Sequence, residues 1–192
     1  PPPGQRMGSG ARLAEPRPLP TPVLELPSGL PRACHPLDAL RTAVSLAAAS
    51  DPDVRSDEPA ANLRKAYRLM NLVPATVAAW QRIRTGREPV AARPDGSHAA
   101  NFLHMLDGKE PSAEVARVLD VILTLHADHE LNASTFAGRV AAATLTDIYS
   151  AIVGAIGALK GPLHGGANAE VMKMLIEIGP EATPERVDET IR

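Results

Sequence analysis

Two short stretches carry side chains able to do acid–base or hydrogen-bond chemistry. In the first, Leu125-His126-Ala127-Asp128-His129-Glu130-Leu131-Asn132, polar residues interrupt the junction between two apolar segments. In the second, Gly161-Pro162-Leu163-His164-Gly165-Gly166-Ala167-Asn168, a histidine stands between a proline and a glycine pair, just ahead of a predicted helix. Glycines there let a substrate approach the backbone closely and permit φ angles that other residues resist. A histidine beside a helix N-terminus feels the positive end of the macrodipole, which disfavours imidazolium. A neutral imidazole N–H suits a carbonyl oxygen that gains negative charge as an enolate forms. His164 equally fits a structural role, as a turn residue satisfied by backbone carbonyls, and spacing does not separate the two readings. His126 and His129 would need a third ligand and an open face to hold a metal ion, and neither an HExxH pattern nor a cysteine cluster supplies one. His126 reads better as a hydrogen-bonded helix-end residue. His35, at a helix start, His98, beside a loop, and His104, on a helix surface, carry no functional assignment. Gly161–Gly166 is not a phosphate-binding loop either, because no Lys-Ser/Thr pair follows it.

The elements that must position these histidines read as helices throughout. Pro36 suits a first helical position, and Leu37, Leu40, Val44 and Ala47 then share one face until Asp51-Pro52-Asp53. A second helical stretch covers roughly 60–85, with Pro74 expected to break or kink it and Gly86 to stop it. Residues 86–96 read as a surface loop, followed by a short helix over Ala99–Leu106 that ends at Asp107-Gly108. Ser112 fits an N-cap, and Val115, Val118, Leu119, Ile122 and Leu125 form the next apolar stripe. The spacing then predicts one helix over about Ala133–Leu159, apolar on nearly every side and in need of burial in a larger body or an interface. Gly154, Ala155, Gly157 and Ala158 would let another backbone approach it. Asn168 is expected to cap a last helix through Ile178, closed by Gly179-Pro180.

Composition agrees with an all-α fold. Aromatic residues are 3% of the 192 and apolar residues 44%, with alanine and leucine abundant and β-branched runs scarce. A net charge of −2 gives no basic field for nucleic acid. No apolar run approaches the roughly 20 residues that span a bilayer. Cys34, the only cysteine, cannot form an intrachain disulfide and fits a reducing compartment, so the expected location is the cytoplasm. Nine of the 19 prolines fall within residues 1–31, which predicts a disordered or extended lead-in there and one helical segment over 32–192. The same prolines work against an amphipathic targeting helix around Arg6, Arg12 and Arg17.

At these stretches the chain resembles the citrate synthase family, most closely its bacterial and archaeal branch. The pattern ADHELNAST-F-A-x-R stands at Ala127–Arg139, and GPLHGGAN followed by EVMKML at Gly161–Leu175. Weaker matches lie at Leu30–Ser45, Pro74–Pro89 and Ala100–Pro111, in family order. The resemblance implies the multi-helical large domain of that family, with the small domain largely absent. It also implies condensation of acetyl-CoA with oxaloacetate to citrate and CoA, with no metal or redox cofactor.

By that resemblance His164 is the catalytic histidine that stabilises the enolate oxygen. His129 helps to bind oxaloacetate, and Asn132 lies near the site. Arginines of the family clamp the substrate carboxylates, a task that suits a planar guanidinium. Family members form dimers, so a homodimer or a complementing C-terminal chain is the expected partner. The family's second histidine, in a GxGHxV-like segment, and its base aspartate have no counterpart before Arg192; Asp188 does not match that motif. The 192 residues alone are therefore expected to be inactive, since such groups act as a unit. Two alternatives stand beside this reading: a 2-methylcitrate synthase using propionyl-CoA, and a non-catalytic subunit or binding protein derived from a synthase.

Overall fold

The computed structural model describes residues 19–180, 182–184 and 186. Among them the regular structure is helical, with no strand, as the composition predicts. The helices are α1 (Thr21–Gly29), α2 (Pro36–Ala49), α3 (Pro59–Arg84), α4 (His98–Asp107), α5 (Ala113–Leu125), α6 (Ala133–Ala143), α7 (Ile148–Leu159) and α8 (Ala167–Ile178).

Local chemistry explains most of these bounds. Pro36 sits at the start of α2, with the His35 ring accepting from Leu37 N–H at 3.2 Å. Ser97, Ser112 and Asn132 cap α4, α5 and α6 through their side-chain oxygens. Gly108 closes α4 in the left-handed conformation, where the absence of a Cβ removes the steric cost.

The structure departs from the sequence expectations at four places. The Pro-rich lead-in does not extend to residue 31: α1 occupies Thr21–Gly29 and buries Val23 and Pro27. Pro20 at its N-cap and Pro22 in the first turn lose no helical donor, so proline is compatible with helix there. Residues 1–18 of that lead-in lie outside the described residues. Helix α3 runs unbroken through Pro74, where one missing backbone bond is outweighed by burial of Leu69, Leu72, Ala78 and Trp80 along its length.

The predicted helix over 133–159 is two helices folded back on one another. Leu145 takes a φ of 63°, which no helix propagates, and the Asp147 carboxylate accepts from Ser150 N–H at 3.0 Å to start α7. Each helix then covers part of the other's apolar surface. A Cβ built on Gly138 would lie 3.5 Å from both Ala151 O and the Ala155 Cβ, so the close approach predicted for Ala155 is to its own hairpin partner. Finally, α8 begins at Ala167 with Gly166 as N-cap, so Asn168 does not cap it. Gly166 has helical backbone angles, and a side-chain cap needs the extended conformation that Asn132 adopts.

The core gathers Val23, Leu40, Val44, Ala47, Leu69, Leu72, Tyr149 and Ile156 from α1, α2, α3 and α7. At its edge lies a charged network. Arg68 donates to Asp51 at 2.6 Å and to Asp53 at 2.7 Å, Arg64 grips both oxygens of Asp53, and the buried Tyr149 hydroxyl donates to Asp51. A cavity of about 230 Å³ opens beside this network, and none of the residues at 126–134 or 161–166 lines it.

This network predicts how the fold responds to pH. Arg64 and Arg68 hold the Asp53 carboxyl well below the usual carboxylate range. A carboxylate depressed in the folded state contributes stability that is present above its unfolded value, about 3.9, and lost as pH falls towards its folded one. Burial, with Asp51 next, raises the Tyr149 hydroxyl, so its contribution is lost instead at strongly alkaline pH. Thermal unfolding followed from pH 7 to pH 2 should show the loss setting in below about pH 4. Asp53→Asn should flatten that acid limb; an unchanged slope would remove Asp53 from the account.

Candidate functional site

The two histidine stretches come together, through a contact that their spacing does not reveal. His164 lies in the turn between α7 and α8, with its backbone N–H donating to Gly161 O at 3.0 Å. Its half-buried ring meets the first turn of α6. Ser134 N–H donates to His164 Nε2 at 3.3 Å, and the Ser134 hydroxyl lies 2.7 Å from the same nitrogen.

The reason lies at the helix start. With Asn132 as N-cap, its Oδ1 accepts from Thr135 N–H at 3.0 Å, which leaves the Ser134 N–H without an intrahelical acceptor. His164 Nε2 takes that place. A nitrogen that accepts from a backbone N–H carries no proton of its own, so the ring's proton belongs on Nδ1. Nδ1–H is thereby left as the ring's donor. The helix terminus hydrogen-bonded to the ring is that of α6, rather than that of the helix following His164.

The turn that carries His164 is tightly built. A Cβ on Gly165 would stand 1.9 Å from Leu159 O, so only glycine lets the chain pass the end of α7. Gly165→Ala must therefore displace the turn. It is expected to destabilise the fold by about 1–3 kcal/mol, the cost of forcing extra atoms into a packed site. An unchanged Tm would contradict this packing.

The other stretch divides its labour. His126 ends α5 as expected, its Nδ1 lying 2.8 Å from Ile122 O, which commits that ring to the helix end. Asp128 Oδ1 accepts from Glu130 N–H at 3.0 Å, and Asn132 caps α6. His129 is exposed, with no hydrogen-bond partner among the described residues, which leaves its ring open to a ligand. Asn132 therefore supports the site by starting α6, while its amide nitrogen remains uncommitted. No group of three or more His, Cys, Asp and Glu residues gathers into a metal-binding cluster among the described residues. None of their helices is long and apolar enough to cross a membrane.

Ser134 is the site residue that sequence reasoning missed. The one signal for it was indirect: an Asn N-cap two positions earlier announces a free backbone N–H at Ser134. Nothing local says which side chain comes to meet it.

Fold and site together define an all-α protein that holds a loop histidine against the first turn of a neighbouring helix, with a second, open histidine just ahead of that turn. The family model described as "Citrate synthase, C-terminal domain" matches residues 3–192. Citrate synthase 2 of Bacillus subtilis is 59% identical over 145 residues, covering 76% of this chain and 39% of that protein. The 2-methylcitrate synthase of Mycobacterium tuberculosis is 49% identical over 160 residues, covering 83% of this chain and 40% of that one. Among solved structures, citrate synthase from Pyrobaculum aerophilum superposes with a TM-score of 0.80 at 39% identity, over 93% of this chain and 47% of that one. A ternary complex of carboxymethyl coenzyme A and oxaloacetate with citrate synthase from Thermoplasma acidophilum gives 0.81 at 28% identity, over 98% of this chain and 48% of that one. The chain belongs to the citrate synthase family. It spans less than half the length of each of these relatives.

Proposed function

We propose that this chain carries the enolate-stabilising side of a citrate-synthase-type condensation, in which acetyl-CoA adds to oxaloacetate to give citrate and CoA. The observation that carries the reading is the Ser134 N–H donating into His164 Nε2, which leaves Nδ1–H as the donor to the thioester oxygen. As a base removes a proton from the acyl methyl group, charge moves onto that oxygen, and a preplaced neutral donor stabilises it without reorganisation. His129, open to ligand, binds the oxo acid. The base and the donor to the ketone of oxaloacetate come from residues outside the motifs found here. No metal or redox cofactor enters, since the thioester and hydrogen bonds suffice for the chemistry.

The matched 2-methylcitrate synthase supports a second reading, in which propionyl-CoA is the acyl donor. One methylene changes pocket binding by about 1–3 kcal/mol, so the two differ in a few contacts. Oxaloacetate-dependent CoA release, measured with acetyl-CoA and propionyl-CoA on the protein that carries this segment, tests both. Preference for one names the donor, and the absence of release with either sinks the proposal.

A homodimer, or a complementing chain, is the proposed assembly. Phe136 stands 58% exposed on α6, and Val140, Leu145 and Leu159 extend the same hairpin's uncovered apolar surface. A monomer in ultracentrifugation at micromolar concentration would argue against this. The cytoplasm, where Cys34 stays reduced, is the proposed compartment.

A further inference from the structure

Glu130 has a φ of 55°, a left-handed backbone that a residue with a side chain occupies only under constraint. The constraint is adjacent. Asp128 Oδ1 accepts from Glu130 N–H at 3.0 Å, bridging over His129. The polar residues on either side are committed as well: the His126 ring to Ile122 O, and Asn132 Oδ1 to Thr135 N–H. Within this segment the His129 ring remains uncommitted, at the apex of a backbone bend that Asp128 closes.

We propose that Asp128 is a positioning residue, which holds Glu130 in its left-handed conformation and so aims the His129 ring at the oxo-acid substrate. The physical argument is local. A short carboxylate two residues ahead of an N–H forms a turn that mimics a backbone turn. Without it, Glu130 relaxes to an ordinary φ, and the peptide between them rotates. His129 would then sample several directions, although no contact to the ring itself has been removed. Loss of orientation at a substrate-binding group shows first in affinity for that substrate. The proposal rests on the reading of His129 given above.

The test uses the active protein that carries this segment, with Asp128→Ala, Asp128→Asn and His129→Ala compared side by side. Asp128→Ala is expected to raise the KM for the oxo acid about tenfold, leaving the KM for the acyl-CoA within about twofold. Asp128→Asn keeps an acceptor oxygen for the Glu130 N–H and should return the oxo-acid KM to within about threefold of wild type. Equal rises in both KM values, or a drop in Tm with no KM change, would reduce Asp128 to a structural role and overturn the proposal. An asparagine variant as impaired as the alanine one would also overturn it, because charge rather than the turn would then be at work.

A second readout separates this proposal from the site assignment. The His129 ring carbon resonance should be sharp in wild type and Asp128→Asn and broadened or split in Asp128→Ala. If His129→Ala leaves the oxo-acid KM unchanged, the substrate reading of His129 fails. The ring resonance then decides alone whether Asp128 orients it, and identical lines in all variants would refute the orientation.

Discussion

Replacing His164 with alanine is expected to lower kcat by roughly 10²–10³-fold, the effect of deleting one preorganised donor to a developing oxyanion. The proposed role also says where the loss should fall. His164 is tied to Ser134 through Nε2, which in that reading leaves the proton on Nδ1 for the thioester oxygen. That interaction strengthens as the enolate forms, so kcat and kcat/KM for the acyl-CoA should drop together. The KM for the oxo acid should move little. Steady-state kinetics with each substrate varied in turn make the comparison. A variant that loses oxo-acid affinity but keeps its turnover would place His164 in the wrong half of the reaction. His164→Gln is the sharper companion, since it retains an N–H donor while losing the ring nitrogen that accepts from Ser134 N–H.

The second large effect concerns stability rather than rate. Asp51→Ala should destabilise the fold by about 3–5 kcal/mol, the cost of breaking a buried charge pair from one side. In a domain of this size that corresponds to a fall in Tm on the order of 10 °C. The Asp51 side chain is 2% exposed and accepts from three donors: Asp53 N–H, Arg68 and the Tyr149 hydroxyl. Its removal leaves the Tyr149 hydroxyl buried without an acceptor and Arg68 without one of its carboxylates. Arg64→Ala, by contrast, removes a partner that is 48% exposed, and its effect should be much the smallest of the set. Tyr149→Phe should fall between them, at about 1–3 kcal/mol, because it strips one donor from a buried carboxylate. Denaturant unfolding of the three variants gives the ranking. Equal losses for Asp51→Ala and Arg64→Ala would mean that burial does not set the strength of this network.

The network also links the two ends of the argument. Tyr149 stands in the first turn of α7, and the turn bearing His164 follows the last residue of the same helix. Lys160, at that far end, pairs with Asp38 of α2 at 2.6 Å. Helix α7 is thus fastened to the body of the protein at its start and its finish. That fastening fixes where the His164 turn begins.

The sequence by itself determined the helical class, the helix starts at His35 and Ser112, the stop at Gly108, and the two histidine stretches. These features depend on side chains acting within a few residues of themselves, so a local reading reaches them. It failed where the deciding neighbour is distant or where backbone angles override composition. The break between α6 and α7 hangs on a left-handed leucine and an aspartate cap inside a run whose apolar pattern continues straight through. The placement of α1 depends on a core that can take Val23, and composition registered only its prolines. Above all, tertiary structure decided what His164 touches. A glycine-bounded histidine announces a donor or a turn residue with equal voice. The chain had to fold α6 back along α7 before the free N–H of Ser134 could reach Nε2 across 30 residues.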